Sequence, residues 1–182
     1  MQQDNFRAIA DQVAITIENR RLLNQTAETL DFVQTQFEAT STVYSAEYPL
    51  EILTAIYEFA GGQYNHAHLG LVDANGSAAM VKVVAEINYG QSTVNPRTVT
   101  LASYPAAETL GALEPLDIPD VNQEHVLTDE ERAHLQRQDI AGMLIVPMVA
   151  GERLVGLIVF MSPAPVSLPL NRLRALRNLA DQ

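Results

Sequence analysis

The sequence predicts an α+β fold, and three observations carry that prediction. Between Asp4 and about Tyr44 there is no Gly or Pro, and good helix formers dominate. Ala79 to Tyr89 alternates apolar and polar residues one by one. Two apolar runs, Gly142 to Val149 and Leu154 to Met161, are joined by the short link Ala150-Gly151-Glu152-Arg153. The first is the mark of a long helix, the second of a half-buried strand and the third of a tight hairpin.

The long helix comes first. Phe6, Ile9, Val13, Leu23, Ala27, Leu30 and Phe37 fall on a seam of three- and four-residue steps, with Thr16 and Arg20 interrupting it. This is a heptad-like stripe. At 1.5 Å per residue the helix would span roughly 60 Å. Two readings follow: the stripe packs on the chain's own globular region, or it meets a second copy in a two-stranded contact. Length favours the homodimer, because the helix outruns what a small domain covers; the stripe does not fix a parallel or antiparallel arrangement.

A globular region is expected to begin near Tyr48. Pro49 suits the first turn of a helix, Leu50, Leu53, Ile56, Tyr57 and Ala60 give it an apolar face, and Gly61-Gly62 stops it. His66 to Val72 reads as a strand, followed by a turn at Asp73-Ala74-Asn75-Gly76. In the next strand Ala79, Val81, Val83, Ala85, Ile87 and Tyr89 are expected to face one way, and Met80, Lys82, Val84, Glu86 and Asn88 the other. Arg97 to Leu101 repeats the alternation, with Val99 and Leu101 inward. Tyr104 to Asp120 is punctuated by Pro and Gly and reads as an irregular loop with room for a short helix. Thr128-Asp129-Glu130-Glu131 is a capping box that opens a helix to about Gln138. After the hairpin, Pro163 and Pro165 mark an exit, and Leu170 to Gln182 forms a closing helix with Leu170, Leu173, Leu176 and Leu179 on one face.

Composition excludes several classes of function. A net charge of −11 and a pI near 4.6 repel phosphate backbones and acidic membrane surfaces, so neither nucleic acid nor membrane is an expected partner. There are no Cys, hence no disulfides, thiolate metal sites or thiol nucleophiles. The N-terminus carries no signal peptide pattern, and the Ala141–Met161 stretch is interrupted by Gly151-Glu152-Arg153. A soluble, cytoplasmic chain is expected. The Asn24-Gln25-Thr26 and Asn75-Gly76-Ser77 matches to a glycosylation pattern are too short to weigh against this.

One internal echo bears on organisation. Phe6-Arg7-Ala8-Ile9-Ala10-Asp11-Gln12 parallels Leu176-Arg177-Asn178-Leu179-Ala180-Asp181-Gln182, with Arg, Ala, Asp and Gln identical at matching places. It predicts a tandem array: residues 1–46 would be the last helix of a preceding domain plus a linker helix, residues 47–182 the next domain, and the chain a fragment of a longer protein.

Several of these segments resemble the GAF domain family. Ile9 to Leu22 resembles the end of a GAF domain entering a signalling linker, and Leu116-Asp117-Ile118-Pro119-Asp120-Val121 resembles the family's loop before its crossover helix. Ile140 to Met148, with Gly151 and Leu154-Val155-Gly156-Leu157-Ile158-Val159, is similar to its central hairpin. The resemblance implies a GAF-like, PAS-related architecture: a central antiparallel sheet, helices on both faces and a small-molecule pocket on one side. Family members serve in histidine kinases, cyclic-nucleotide phosphodiesterases, transcription activators and phytochromes, and many act as dimerising spacers with no known ligand. Covalent bilin attachment and the free methionine sulfoxide reductase activity of the family both require Cys, which is lacking here. The Asn-Lys-Phe-Asp-Glu motif of cyclic-nucleotide binders is also missing.

Candidate chemistry is sparse. His66 and His68 share a strand face and could chelate a metal only if His125 or His134 supplied a third ligand; a strand entry with two pocket-lining or solvent-reaching imidazoles is the simpler reading, and neither metal nor haem is expected. Asp117 and Asp120, with Glu114 upstream, fit turn capping better than acid–base work. The family topology would put the pocket between the sheet and the Tyr104–Asp120 segment, where His68, Tyr89, Tyr104 and Asp120 are the candidate lining groups. The expected function is a non-catalytic sensory domain that binds a small ligand and relays through a dimeric helix. The alternative is a structural dimerisation module with a pocket filled by its own side chains.

Overall fold

The computed structural model describes residues 2–73 and 79–182, with side chains from Gln12 onward. The chain divides into two compact units, one ending at Glu38 and one running from Ala39 to Gln182. The division falls inside the first helix, α1 (Gln2–Ser45). Hydroxyl side chains along it bond back to the carbonyl four residues earlier, among them Thr16, Thr26, Thr29 and Thr35 at 2.8 Å and Ser45 at 3.0 Å. Those bonds satisfy residues that are otherwise weak helix formers. Of the expected seam, Val13, Ala27, Leu23, Leu30 and Phe37 are all exposed, the last three by 65–72%. Phe6 and Ile9 lie outside the residues whose side chains are described. Ile15, Ile17, Leu22 and Val33 are exposed too, so the apolar surface is broader than one seam. No helix among the described residues is long and apolar enough to cross a membrane.

The second unit follows the predicted order. Helix α2 (Pro49–Phe59) starts on Pro49, and the Glu51 carboxylate accepts from the Glu47 and Tyr48 N–H groups at 2.8 and 3.2 Å. Strands β1 (His66–Asp73), β2 (Met80–Asn88), β3 (Gln91–Thr93), β4 (Arg97–Thr100), β5 (Leu116–Ile118), β6 (Gly142–Ala150) and β7 (Arg153–Ser162) form one sheet in the order β3-β2-β1-β7-β6-β5, with β4 also on β2. Every pairing is antiparallel. Helix α3 (Asp129–Arg137) opens on its Thr128 cap, and α4 (Leu170–Ala180) closes the chain.

One face of the sheet is covered by helices. Helix α2 packs on β1 and β2, and α4 on β6. Leu53, Ile56, Phe59, Leu144, Phe160 and Leu176 are sealed there at no more than 1% exposure, and Arg172 of α4 lies 5.6 Å from the Phe59 ring centre. The other face is covered by irregular chain and α3. Leu110, Ile118, Val121, Leu127, Leu135 and Ile140 gather there against Val81, Met143, Ile145, Leu157 and Val159.

The structure corrects four expectations. Leu170 sits in the first turn of α4 and is 70% exposed, because the buried face begins only at Ala175. Tyr89 does not complete the inward row of β2: its φ of 47° turns the chain before Gly90, and the side chain is 74% exposed. The clean alternation of β2 conceals a change of face. Leu69 pairs with Ala85 but Gly70 pairs with Val83, so Val84 is an extra residue. Ala85 and Ile87 therefore share the face of Leu69 and Ala67, while Val81 joins the core on the opposite side. Gly70 is required at that bulge, since a Cβ there would overlap Val81 Cγ1. Finally, β3 and β5 are strands, β5 lying within the segment expected to be loop. The turn expected at Asp73–Gly76 falls largely on residues 74–78, outside the described residues.

Candidate functional site

A cavity of about 300 Å³ lies between the loop-covered face of the sheet, the Tyr104 segment and α3. Strands β1, β6 and β7 contribute His68, Met143, Val159 and Met161; β4 contributes Arg97 and Val99; the loop contributes Ser103, Tyr104 and Pro105; α3 contributes His134 and Leu135, and Gln138 follows at its C-terminal end. Strand pairing accounts for the floor: His68 stands opposite Val159, and His66 opposite Met161, so all four share a face.

His68 is the polar centre. It is 5% exposed, and its Nε2 lies 3.0 Å from the Tyr104 hydroxyl. Its Nδ1 meets no protein hydrogen-bond partner. Burial, reinforced by His66 and Arg97, pushes the His68 pKa down to about 3. Burial raises that of Tyr104 to about 12, with Arg97 opposing. Imidazole and phenol are both neutral at physiological pH, so the bond between them has two forms. Either the phenol donates to Nε2 and Nδ1 carries the ring proton, or Nε2–H donates and Nδ1 is an acceptor.

The charged groups nearby are balanced. Arg97 Nη1 donates to Glu86 Oε2 at 2.5 Å. His66 Nε2 stands 3.5 Å from Glu86 Oε1 without hydrogen-bond geometry, and burial lowers its pKa; Glu86 pulls the other way and Arg97 adds to the lowering. A second cleft of about 310 Å³ adjoins the cavity, shares Arg97, Gln138 and Met161 with it, and adds His66, Asn88 and Tyr89.

Side-chain bonds from two residues of α3, Glu131 and Arg132, hold the cavity's outer wall. The Glu131 carboxylate accepts from the Thr128 N–H at 2.8 Å and, through its other oxygen, from the Ala106 N–H at 2.7 Å. The capping residue of α3 thus also ties down the loop bearing Tyr104, where Ala106 has a φ of 48°. Arg132 donates to the carbonyls of Val121 and Glu124, clamping α3 to the turn before it.

Of the candidate residues, His68 and Tyr104 come together in the cavity. Tyr89 lies at the edge of the adjoining cleft, and Asp120 lines neither. The Asp120 carboxylate accepts from the Asn122 N–H at 2.9 Å and Gln123 Nε2 at 2.7 Å, which makes it a turn cap. Asp117 pairs with Leu144 and so stands on the helix-covered face; burial, then Glu124, raises its pKa. His125 lines neither cavity, and among the described residues no three His, Cys, Asp or Glu side chains gather as a metal site requires. Sequence reasoning missed Arg97, Leu135, Gln138 and the two methionines, and named His134 only as a conceivable third metal ligand. Arg97 had a signal, since it shares strand parity with Val99.

The GAF domain family profile matches residues 50–182. The chain belongs to the GAF family. GAF domains are commonly sensory or regulatory parts of signalling proteins and are generally non-catalytic. Solved structures repeat this domain's fold. The wild-type chromophore-binding domain of phytochrome P1 from Stigmatella aurantiaca superposes with a TM-score of 0.68 at 14% identity, over 84% of this chain and 58% of that one. Bacteriophytochrome RpBphP3 from R. palustris gives 0.69 at 14% identity, over 83% and 35%. The GAF domain of a phosphoenolpyruvate-protein phosphotransferase from Coxiella burnetii gives 0.63 at 14%, over 84% and 89%. The chain thus spans little more than half of the phytochrome chromophore-binding domains it resembles. No curated protein is similar enough in sequence to match this GAF domain.

Proposed function

We propose that this GAF domain is a non-catalytic sensor that holds a small molecule in the cavity over His68, and that its output passes through a homodimer of α1 helices. The observation that carries the first part is a cavity of about 300 Å³ with a largely apolar lining and the hydrogen-bonded pair His68 and Tyr104 in its wall. A concave, mostly apolar site with a few fixed polar groups is the usual form of a ligand pocket. The alternative, a spacer packed solid with its own side chains, accounts less well for that volume. The chromophore-binding relatives support the same use of the fold. Catalysis is poorly served by the groups present. A general base works best with a pKa near the operating pH, and His68 sits about 3.

A ligand alters signalling only if it prefers one helix arrangement over another. The ligand would bias how the sheet packs on α2 and α4, and α1 would carry that bias to a partner domain. The exposed row Leu23, Leu30 and Phe37 supports the dimer, since it repeats every seven residues.

Two measurements test this reading. A thermal-shift screen of small metabolites should reveal compounds that raise the melting temperature, as binding to the native state must; a screen without a single dose-dependent shift would favour the spacer. Sedimentation equilibrium should show a dimer that the double variant Leu23→Glu/Leu30→Glu converts to monomer. A monomeric parent chain would remove the relay.

A further inference from the structure

A separate hollow of about 480 Å³ lies beside the β2–β3 turn and shares only Arg97 with the cavity over His68. From it we infer that the domain carries a second site, for a neutral carbohydrate, in which the Tyr89 ring is the platform for one face of a sugar. Tyr89 itself gives the first reason. Asn88 pairs with Gln91, so Tyr89 and Gly90 form a two-residue turn, and both have a positive φ, 47° and 74°. Such a turn prefers Asn-Gly or Asp-Gly, and a bulky aromatic residue at positive φ is strained. Burial does not offset that strain, because the side chain is 74% exposed. Folding therefore supplies no reason for a ring here, and strained positions of this kind cluster where ligands bind. The Tyr89 N–H donates to the Asn65 carbonyl at 2.6 Å, which fixes the turn and so presents the ring ready-placed.

The wall around the ring gives the second reason. Glu86 stands opposite Thr93 and Asn88 opposite Gln91, so strand pairing puts all four on one face, and Asn95 adds a further amide. Asn88, Gln91, Thr93 and Asn95 are exposed, so their amide and hydroxyl groups are within a ligand's reach. Among the described residues no aliphatic side chain lines this hollow. The charges in it are matched, since Arg97 Nη1 donates to Glu86 Oε2 at 2.5 Å. These features select the ligand by elimination. An apolar molecule finds only one ring to cover it. An anion must draw Arg97 from Glu86 against the field of a chain with net charge −11, and a cation must draw Glu86 from Arg97. A planar base has two apolar faces and would leave one against polar groups. A pyranose has one C–H-rich face, which suits the negative face of an aromatic ring. Its hydroxyls, each both donor and acceptor, match the amides and the ion pair.

The test is an NMR titration of the full chain with methyl β-D-glucoside, methyl β-D-galactoside, glucose 6-phosphate and adenosine. At least one of the two glycosides should shift the amide signals of Tyr89, Gly90, Gln91 and Asn95, and should bind tighter than the phosphate or the nucleoside. Tyr89→Asn installs the residue the turn prefers, so it should hold or raise the melting temperature while weakening glycoside binding about tenfold. Tyr89→Phe keeps the ring and should keep the binding. Val159→Phe, which fills the cavity over His68, should leave the titration unchanged, so failure of that pocket and failure of this site are told apart. A lower melting temperature in Tyr89→Asn would make the ring a structural element and overturn the inference. Tighter binding of glucose 6-phosphate or adenosine, or no shift at these amides with either glycoside, would overturn it as well.

Discussion

The two faces of one sheet are built differently, and the contrast separates what folds this domain from what equips it. On the helix-covered face, α2 and α4 press regular apolar rows onto the strands, and Phe59, Leu144, Phe160 and Leu176 are sealed. The Tyr64 ring packs 5.2 Å from that of Phe160. On the other face, short irregular pieces and a mostly polar α3 cover the same strands and leave a cavity of about 300 Å³ around a buried imidazole. Helices present a regular row of side chains that fills space efficiently. Loops do not, and the volume they leave is where a ligand can act.

The largest expected effect contrasts the faces directly. Phe160→Ala removes a fully buried ring from the solid face and should cost about 3–5 kcal/mol. Met143→Ala, which borders the cavity, should fall at the low end for its type, about 2 kcal/mol. Urea unfolding measures both, and equal losses would erase the distinction between the faces.

Next comes acid sensitivity. His68 has a folded-state pKa of about 3 against an unfolded value of about 6.5. Its stabilising contribution is complete above about 6.5 and is lost as pH falls toward 3, because the unfolded chain takes up the proton first. Stability should drop by at most about 1.4 kcal/mol per pH unit from this group. His68→Gln should flatten the slope between pH 6.5 and 4; an unchanged slope would mean that the imidazole is hydrated.

The smallest effect concerns the tether. Burial acts to raise the pKa of Glu131, but the bonds from Thr128 and Ala106 outweigh it and the net shift is downward. The carboxylate therefore stabilises the fold above the ordinary glutamate range, and that contribution is lost as pH falls through the lowered folded value. Glu131→Ala should cost about 1 kcal/mol at neutral pH and loosen the Tyr104 segment in amide exchange. Faster exchange at α3 alone, with none near Ala106, would show that the tether is only a cap.

The same contrast explains which parts could be read from sequence. Helix α2, the β6–β7 hairpin and the Thr128 cap follow from periodicity and end signals, since their neighbours repeat at regular spacing. Strands β3 and β5 hold three residues each, too few to establish a period. The β2 bulge deceived the alternation because both faces of that strand are apolar there, so Val81 and Ala85 look alike while facing opposite ways. His68 and Tyr104 stood out as polar or aromatic groups among apolar neighbours. Which side of α3 faces the cavity did not, because Arg132 and Glu131 set that orientation through bonds to Val121, Glu124 and Ala106, contacts that no local pattern encodes.

The proposed sensor function requires that a molecule bind in the cavity over His68. Native mass spectrometry of the full chain purified from cells, run beside Val159→Phe to fill that volume, tests it most directly. A non-covalent small-molecule adduct on the parent chain that is lost in the filled variant is the predicted result. An adduct retained by the filled variant, or a parent chain that carries none under any expression condition, would contradict it.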